Sequence, residues 1–380
     1  MIFQRLKNIF ILFLCFFRVF FKGRANKKAG RPKKILVVQK SKLGDAICAI
    51  PVLHALKIKF PDVEICVLGG KIVEELLAYS PDFDDFILFE NSFLGLVRKI
   101  KKEKFDFACV VGLNFPSLAA LFLSGIPLIS ALSVVNGISP QETMPYKILK
   151  NFVVKVPFRM KEYAPREYLK LLEPIGIFTE NTKKHLYFSR EGAERAERFF
   201  SEKEIGGEGE LVVGIAPSAG NKLKIWGGDK FSKLIEMILN NYSAKIILLG
   251  SGEDKKYIDE LYEKFSGDKR IISACDLFSV DELKAFISRL DVLIGPDTGL
   301  MYVAEALDVS TIDIVGPVDE TEQPPIGDKH KVIVSDAECH PCSFVMDTAR
   351  GCKNKENEFV CFKKTTPETV FEAFKGLAKK

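Results

Sequence analysis

The stretch Leu293-Ile294-Gly295-Pro296-Asp297-Thr298-Gly299-Leu300 decides the fold. It completes an apolar run from residue 290 that is typical of a buried parallel strand, and residues 301–307 then carry apolar side chains at helical spacing. A strand that passes through a Gly-Pro break into a helix brings backbone N–H groups and the positive end of the helix dipole to one point, which suits a phosphate. The simpler alternative is that Asp297 or Thr298 only caps the helix.

The same alternation of strands and helices extends through most of the chain. Predicted strands lie at residues 35–38, 65–68, 86–88 and 107–112 in the first half, and at 211–215, 245–249, 271–272, 290–294 and 311–315 in the second. The charged, glycine-rich segment 201–209 reads as a linker between them. This pattern predicts an α/β fold with two open parallel sheets and helices on both faces.

Polar loops follow several of the predicted strands, and ligands of such sheets bind at the carboxyl ends of the strands. The loop Ser41-Lys42-Leu43-Gly44-Asp45 follows the first strand. Asp45 either caps the next helix or faces a cleft, where its carboxylate is able to take a proton from a hydroxyl group. The small-residue loop 216–221 precedes Lys224, which is either a solvated lysine or a partner of anionic oxygens.

Two nucleotide-binding classes are disfavoured by missing motifs. The sequence has no Gly-x-x-x-x-Gly-Lys-[Ser/Thr] run, which argues against a P-loop NTPase. No Gly-x-Gly-x-x-Gly follows the first strand, which argues against a nicotinamide dinucleotide enzyme.

The positive charge of the chain is concentrated at its N-terminus. Residues 1–34 contain ten Lys or Arg and no Asp or Glu, and subtracting these ten from the total of +5 leaves −5 for the remainder. This distribution argues against nucleic acid and for a segment that meets an anionic surface. An apolar stretch at residues 2–21, interrupted by Arg18, precedes a polybasic stretch. We expect a helix lying on the inner face of the cytoplasmic membrane; a spanning helix and a cleaved signal peptide are the alternatives.

The nine cysteines form two groups. Five lie in or beside apolar runs and are expected to be small buried hydrophobes: Cys15, Cys48, Cys66, Cys109 and Cys275. The other four cluster near the C-terminus: Cys339, Cys342, Cys352 and Cys361. Their first pair has the C-x2-C spacing of zinc sites, but the second pair does not repeat it. A structural zinc site, unmetallated thiols and a redox or disulfide role therefore all remain open.

Three stretches together resemble glycosyltransferase family 9, the ADP-heptose:lipopolysaccharide heptosyltransferases. They are Ile35 to Val38 running into Ser41 to Asp45, Pro217-Ser218-Ala219-Gly220 leading to Lys224-Ile225-Trp226, and Asp297 to Leu300 with Ala304, Ala306-Leu307 and Gly316-Pro317. The resemblance covers roughly residues 33–377. It implies the GT-B architecture, in which two Rossmann-like doubly wound domains face a central cleft.

The resemblance also implies roles for particular residues. Asp45 matches the catalytic carboxylate, a general base that deprotonates the acceptor hydroxyl for inversion at the anomeric carbon. Lys224 matches the lysine that meets the donor phosphates. The remaining positions carried over as substrate-binding are Ser41, Gly44, Ser218, Glu253, Asp297, Thr298, Gly299, Leu300 and Tyr302. Tyr302 stands where many members have His, and Pro-Ser-Ala-Gly replaces Pro-Gly-Ala-Ser, so the sugar contact and the phosphate loop differ here.

The resulting domain prediction has four parts. They are a membrane-associating basic and apolar tail (1–32), an acceptor-binding domain (33–195), a nucleotide-sugar-binding domain with the cysteines (196–364), and a crossover helix (365–380).

The predicted function is transfer of a heptose or related sugar from an ADP-activated donor to a lipopolysaccharide core or lipid-linked acceptor, with no cofactor required. The alternatives are a GT-B nucleotide-sugar 2-epimerase and a non-catalytic, membrane-docked protein that binds nucleotide sugars.

Overall fold

The chain folds into two α/β units in the computed structural model, which describes residues 2–26, 30–89 and 92–378. The first unit comprises the chain up to residue 74 together with residues 80–183 and 345–347. The second unit comprises residues 75–79, 184–344 and the chain from 348 onward. Lys27 and Lys28, which belong to the predicted polybasic stretch, lie outside the described residues.

The first unit is built on a six-stranded sheet in which every strand pair is parallel, in the order β3-β2-β1-β4-β5-β6. Its strands are β1 (Lys34–Gln39), β2 (Glu64–Gly69), β3 (Asp85–Leu88), β4 (Phe107–Val111), β5 (Leu128–Val134) and β6 (Val154–Phe158). The order is that of a doubly wound nucleotide-binding sheet, whose winding reverses between β1 and β4. The central strands are continuous apolar runs because helices cover both faces.

Eight helices accompany this sheet. They are α1 (Ile2–Lys22), α2 (Leu43–Cys48), α3 (Ile50–Lys59), α4 (Lys71–Leu77), α5 (Phe93–Glu103), α6 (Phe115–Ser124), α7 (Met144–Leu149) and α8 (Ala164–Leu169). The sequence predicts a single helix over residues 46–60 in which Pro51 either kinks the helix or starts its regular part. The chain instead forms α2 and α3, and Pro51 lies in the first turn of α3, where its missing N–H costs no helical hydrogen bond.

Helix α1 packs against the first unit through one of its faces. Ile11 and Cys15 are buried, and the guanidinium of Arg18 lies 4.2 Å from the centroid of the Phe122 ring on α6. The ring of Phe16 meets that of Phe152 edge to face at 5.8 Å. The predicted tail is therefore a docked helix of the first unit.

The opposite face of α1 is apolar as well, and it is exposed. Seven large apolar side chains at helical spacing are between 59 and 85% exposed: Leu6, Ile9, Phe10, Phe13, Phe17, Phe20 and Phe21. Among the described residues, no helix combines the length and the hydropathy that crossing a membrane requires.

The second unit repeats the first sheet, in the parallel order β12-β11-β10-β7-β8-β9. Its strands are β7 (Leu211–Ile215), β8 (Ala244–Leu248), β9 (Ile271–Ser273), β10 (Val292–Pro296), β11 (Ser310–Val315) and β12 (His330–Val334). The winding reverses here between β7 and β10. The predicted α/β fold with two Rossmann-like units is confirmed.

The helices of the second unit are α9 (Arg190–Glu202), α10 (Gly228–Asn241), α11 (Lys255–Glu263), α12 (Val280–Ile287), α13 (Gly299–Ala306), α14 (Val360–Lys364) and α15 (Pro367–Leu377). Helix α9 packs on α12, with the ring of Phe199 5.5 Å from that of Phe286. For this reason the second unit begins at residue 184, whereas the sequence analysis began it at 196.

Helix α15 forms where the sequence predicts it, with the Thr366 hydroxyl as N-cap accepting from the Thr369 amide. Its predicted role as a crossover helix needs correction, because it packs on α10 within the second unit. Val370, Phe371 and Phe374 join that unit's hydrophobic core, and the Phe374 ring meets Tyr242 at 5.2 Å.

Candidate functional site

The candidate site of the second unit lies where the winding of its sheet reverses. Strands β7 and β10 are neighbours there, and their last register pair is Ile215 with Ile294. The loop after β7 leads to Lys224, and the turn after β10 contains Asp297. Gly295 lets the two strand ends approach closely, since a Cβ at this position would stand 2.6 Å from the carbonyl oxygen of Ala216. In doubly wound sheets this reversal point is where ligands bind.

Three of the predicted site residues meet at this point. The Lys224 ammonium forms an ion pair with Oδ2 of Asp297, and the Tyr302 hydroxyl on α13 donates to Oδ1 of the same carboxylate. Asp297 is buried, whereas the Lys224 side chain keeps 22% of its exposure. Lys224 is therefore held by a buried carboxylate while part of its side chain remains exposed to solvent.

The start of α13 is not closed by a side chain. Thr298 occupies the N-cap position without a side-chain capping bond, and the carboxylate of Asp297 is committed to Lys224 and Tyr302. The simpler alternative from the sequence, a pure helix cap, therefore does not describe either residue. The amide end of α13 and its dipole remain available to an anion beside Lys224.

The other predicted positions of the second unit surround this cluster to different extents. Ser218 is buried in the loop after β7, while Gly299 and Leu300 are half-buried in the first turn of α13. Glu253 is exposed in the turn that follows β8, the strand next to β7.

In the first unit, three predicted residues lie at the corresponding reversal point, after β1. Asp45 is the third residue of α2 and is half-buried; the N-cap position belongs to Lys42, which makes no side-chain capping bond. Its role as a simple N-cap is thereby set aside. Ser41 and Gly44 flank it, and the Ser41 hydroxyl is buried without a hydrogen-bond partner among the described residues.

One acidic residue of the second site was missed by the sequence analysis. Asp313 lies in the middle of β11, is 2% exposed, and borders the same crevice as Asp297 and Tyr302. The available signal was a lone carboxylate inside the apolar run from Ile312 to Val315, where an Asp is unfavourable unless something uses it.

The four C-terminal cysteines line one small cavity together with His340 and Phe359. None of the nine cysteines, all of which lie in the described part of the chain, forms a disulfide. Burial raises the pKa of the Cys342 and Cys361 thiols. In the described part of the chain, no three His, Cys, Asp or Glu side chains are arranged closely enough to hold a metal ion.

The cysteine segment is tied to the loop after β11 through His340. Its Nδ1 lies 2.8 Å from the carbonyl oxygen of Gly316, and its Nε2 lies 2.8 Å from Oε2 of Glu320. Gly316 also gives room to the Phe362 ring, which a Cβ would meet at 2.1 Å.

Known proteins resemble this chain in fold and in sequence. The profile of "Glycosyltransferase family 9 (heptosyltransferase)" matches residues 94–353. Lipopolysaccharide heptosyltransferase 3 of Escherichia coli K12 is 24% identical over 287 residues, 73% of this chain and 80% of that protein. Lipooligosaccharide heptosyltransferase 2 of Campylobacter jejuni (strain NCTC 11168) is 24% identical over 352 residues, 91% and 98% of the two chains. The solved structure of E. coli ADP-heptose lps heptosyltransferase II superposes with a TM-score of 0.72 at 20% identity, covering 91% of this chain and 98% of that one.

The fold and the profile match define the class of protein, a glycosyltransferase of the GT-B type. The chain belongs to glycosyltransferase family 9, the heptosyltransferase family. Family membership favours glycosyl transfer over the epimerase and the non-catalytic alternatives.

Proposed function

We propose that this enzyme transfers a heptose from ADP-heptose to a sugar hydroxyl of a lipopolysaccharide core or related lipid-linked acceptor, with inversion at the anomeric carbon. The observation that carries the donor half of the proposal is the cluster of Lys224, Asp297 and Tyr302 beside the open amide end of α13. The relatives, named as heptosyltransferases of lipopolysaccharide or lipooligosaccharide, support the choice of sugar and acceptor.

The donor's diphosphate is the part best matched by this cluster. As the bond between the anomeric carbon and the phosphate oxygen breaks, negative charge accumulates on the departing ADP. Lys224 and the amide groups at the start of α13 supply positive charge at that oxygen, and fixed donors of this kind are worth roughly 10²–10³ in rate. The transfer proposed here therefore needs no metal ion.

The acceptor half of the reaction is assigned to Asp45. Its carboxylate takes the proton from the acceptor hydroxyl as the hydroxyl oxygen forms the new bond to the anomeric carbon. The resemblance of its loop to the family's motif supports this role, and so does its position in the first turn of α2 rather than at the helix cap. We assign Ser41 to acceptor binding as well, because its buried hydroxyl has no hydrogen-bond partner among the described residues.

A panel of nucleotide sugars tests the donor. We expect ADP-heptose to raise the melting temperature by about 5 °C at 100 times its Kd, because about 2.7 kcal/mol of binding energy is then added to the native state. ADP should produce part of this shift, and UDP-N-acetylglucosamine none. A shift caused by a uridine nucleotide sugar but not by ADP-heptose would show that the donor is misassigned.

We further propose that the enzyme works at the inner face of the cytoplasmic membrane, with α1 as its contact to lipid. The support is the row of exposed aromatic side chains on α1 together with the ten basic residues of segment 1–34. Buried apolar area and attraction to anionic headgroups both favour a helix lying in the interface. Because Ile11 and Cys15 are packed against the protein, only the outer face is offered to the membrane.

The cysteine cluster is proposed as a structural zinc site, supported by four thiols around one cavity. No three of these thiols are close enough in the described structure to share an ion, so zinc binding would have to draw them together. The thiolates of the cluster would hold the ion, which would tie residues 339–361 together. The expected result is about one zinc per chain in purified protein, lowered in Cys339→Ser, with Cys66→Ser as a matched control because Cys66 is buried in β2. Protein without stoichiometric metal, and without a change in melting temperature on addition of zinc, would leave the four residues as plain thiols.

A further inference from the structure

Asp313 is a buried carboxyl group whose hydrogen bonding is incomplete. It stands between Ile312 and Ile314 in β11, opposite Gly295 of β10, and its Oδ1 has no hydrogen-bond partner among the described residues. A buried polar atom left in this state costs about 1–3 kcal/mol. A buried polar atom without a partner calls for an explanation, and a hydrogen bond to a bound ligand would supply one.

The surroundings of this carboxyl group favour its uncharged form. Burial raises its pKa well above the usual 3.8, and the negative charges of Asp297 and Glu305 act in the same direction, while Lys224 opposes them. The Tyr302 hydroxyl and the acidic side chains of Asp319 and Glu320 border the same crevice. The raised pKa favours the protonated carboxyl group, which is able both to donate and to accept a hydrogen bond.

The crevice in front of Asp313 selects against anions and for hydroxyl groups. Its walls include Asp297, Tyr302, Asp319, Glu320 and Gln323, and its only neighbouring cation among the described groups that act on Asp313, Lys224, is already paired. A phosphate would be repelled here. The crevice is narrow, with room for a water-sized group rather than for a whole sugar ring.

We propose that Asp313 forms a hydrogen bond with a hydroxyl group of the donor's sugar. It thereby recognises the sugar of the donor rather than its diphosphate. The inference rests on the donor site proposed above, because Asp297 borders both the crevice and the turn assigned to the diphosphate. It adds a specificity-determining residue that lies outside the motifs carrying the family resemblance.

The test compares two ligands on two variants. The ligands are the nucleotide sugar that stabilises the wild type most in the panel and its own nucleoside diphosphate, so that the test holds even if the donor is not ADP-heptose. Asp313→Val is similar in size, suits a β-strand and removes the carboxyl group. We expect the Kd of the nucleotide sugar to rise about 5–10-fold and the Kd of the diphosphate to stay within about 2-fold, as for the loss of one neutral hydrogen bond.

Asp313→Asn restores one donor and one acceptor, and we expect it to return the nucleotide-sugar Kd to within about 3-fold of the wild type. Equal weakening of both ligands by Asp313→Val, or no weakening of either, would overturn the proposal and leave Asp313 a structural residue. Should Asp313→Val fail to fold, Asp313→Ala gives the same comparison.

The protonation of Asp313 also affects how the free energy of unfolding depends on pH. Because the folded protein holds the Asp313 proton more tightly than the unfolded chain does, the free energy of unfolding falls as pH rises from the unfolded pKa of about 3.9 towards the raised folded value. Asp313→Asn should remove this loss, so the variant gains on the wild type as pH increases. A constant difference between the two proteins from pH 5 to pH 8 would mean that the carboxyl group is already ionised.

Discussion

Replacing Asp45 by asparagine is expected to lower the rate of glycosyl transfer by about 10²–10⁴-fold, the usual contribution of a positioned general base. The asparagine keeps the size of the side chain but no longer takes the acceptor's proton. The donor is assigned to the second unit, so the rise in melting temperature with ADP-heptose should be unchanged. Initial rates at saturating donor and acceptor, followed by release of ADP, measure the effect.

Glu74→Gln is the matched control for this variant. Glu74 lies in the first turn of α4, after β2, as Asp45 lies in the first turn of α2, after β1. Both substitutions remove a carboxylate that interacts favourably with a helix N-terminus, which is worth about 0.3–1 kcal/mol. Similar losses of rate in the two variants would show that helix stability matters and that Asp45 is not the base. Retained turnover in Asp45→Asn would likewise show that Asp45 is not the base.

The triple variant Phe13→Asp/Phe17→Asp/Phe20→Asp is expected to lose at least about 100-fold in binding to vesicles that contain anionic lipid. Each of these rings is exposed in the structure, and burying such a side chain contributes about 1.5–3 kcal/mol. The residues that hold α1 on the first unit, Ile11 and Cys15, are untouched, so the fold should persist. Sedimentation with vesicles of phosphatidylglycerol and phosphatidylcholine measures the partition.

The control carries the same kind of change elsewhere on the first unit. Ile58 and Phe178 are 65 and 77% exposed, and the variant Ile58→Asp/Phe178→Asp should bind vesicles as the wild type does. Equal losses in the two variants would point to net charge rather than to the surface of α1. Full binding by the triple variant would remove α1 as the lipid contact. Wild-type binding should also weaken at high salt, since basic residues near the surface contribute about 1 kcal/mol each.

Much of the framework was predictable because local patterns and parallel sheets leave few choices. Apolar runs that end in small or polar loops predicted strands β1 to β4 and β7 to β11, but not β5, β6 or β12. The Gly-Pro break at residues 295–296 correctly predicted the start of α13. Ligands of parallel sheets bind at the carboxyl ends of the strands, so the sequence identified Lys224 and Asp297 as separate candidates. The strand order that makes β7 and β10 neighbours is a finding of the structure.

The remaining details depend on neighbours that are distant in the sequence. Nothing local reveals that the carboxylate of Asp297 accepts from Tyr302 as well as pairing with Lys224, or that Asp313 shares their crevice. Similarly, an apolar helix at the N-terminus was expected, but which face packs on the protein is decided by α6 and α7. The position of α15 was misjudged because its apolar face fits α10, which periodicity alone does not identify.

If the diphosphate binds at Lys224 as proposed, the ion pair with Asp297 affects the end of each catalytic cycle. Without Asp297, the half-buried ammonium group of Lys224 would bind any phosphate tightly, including that of the product nucleotide. With Asp297 in place, release of the product restores the ion pair of Lys224 and Asp297 and leaves no unpaired charge. Release of the product nucleotide is thereby eased.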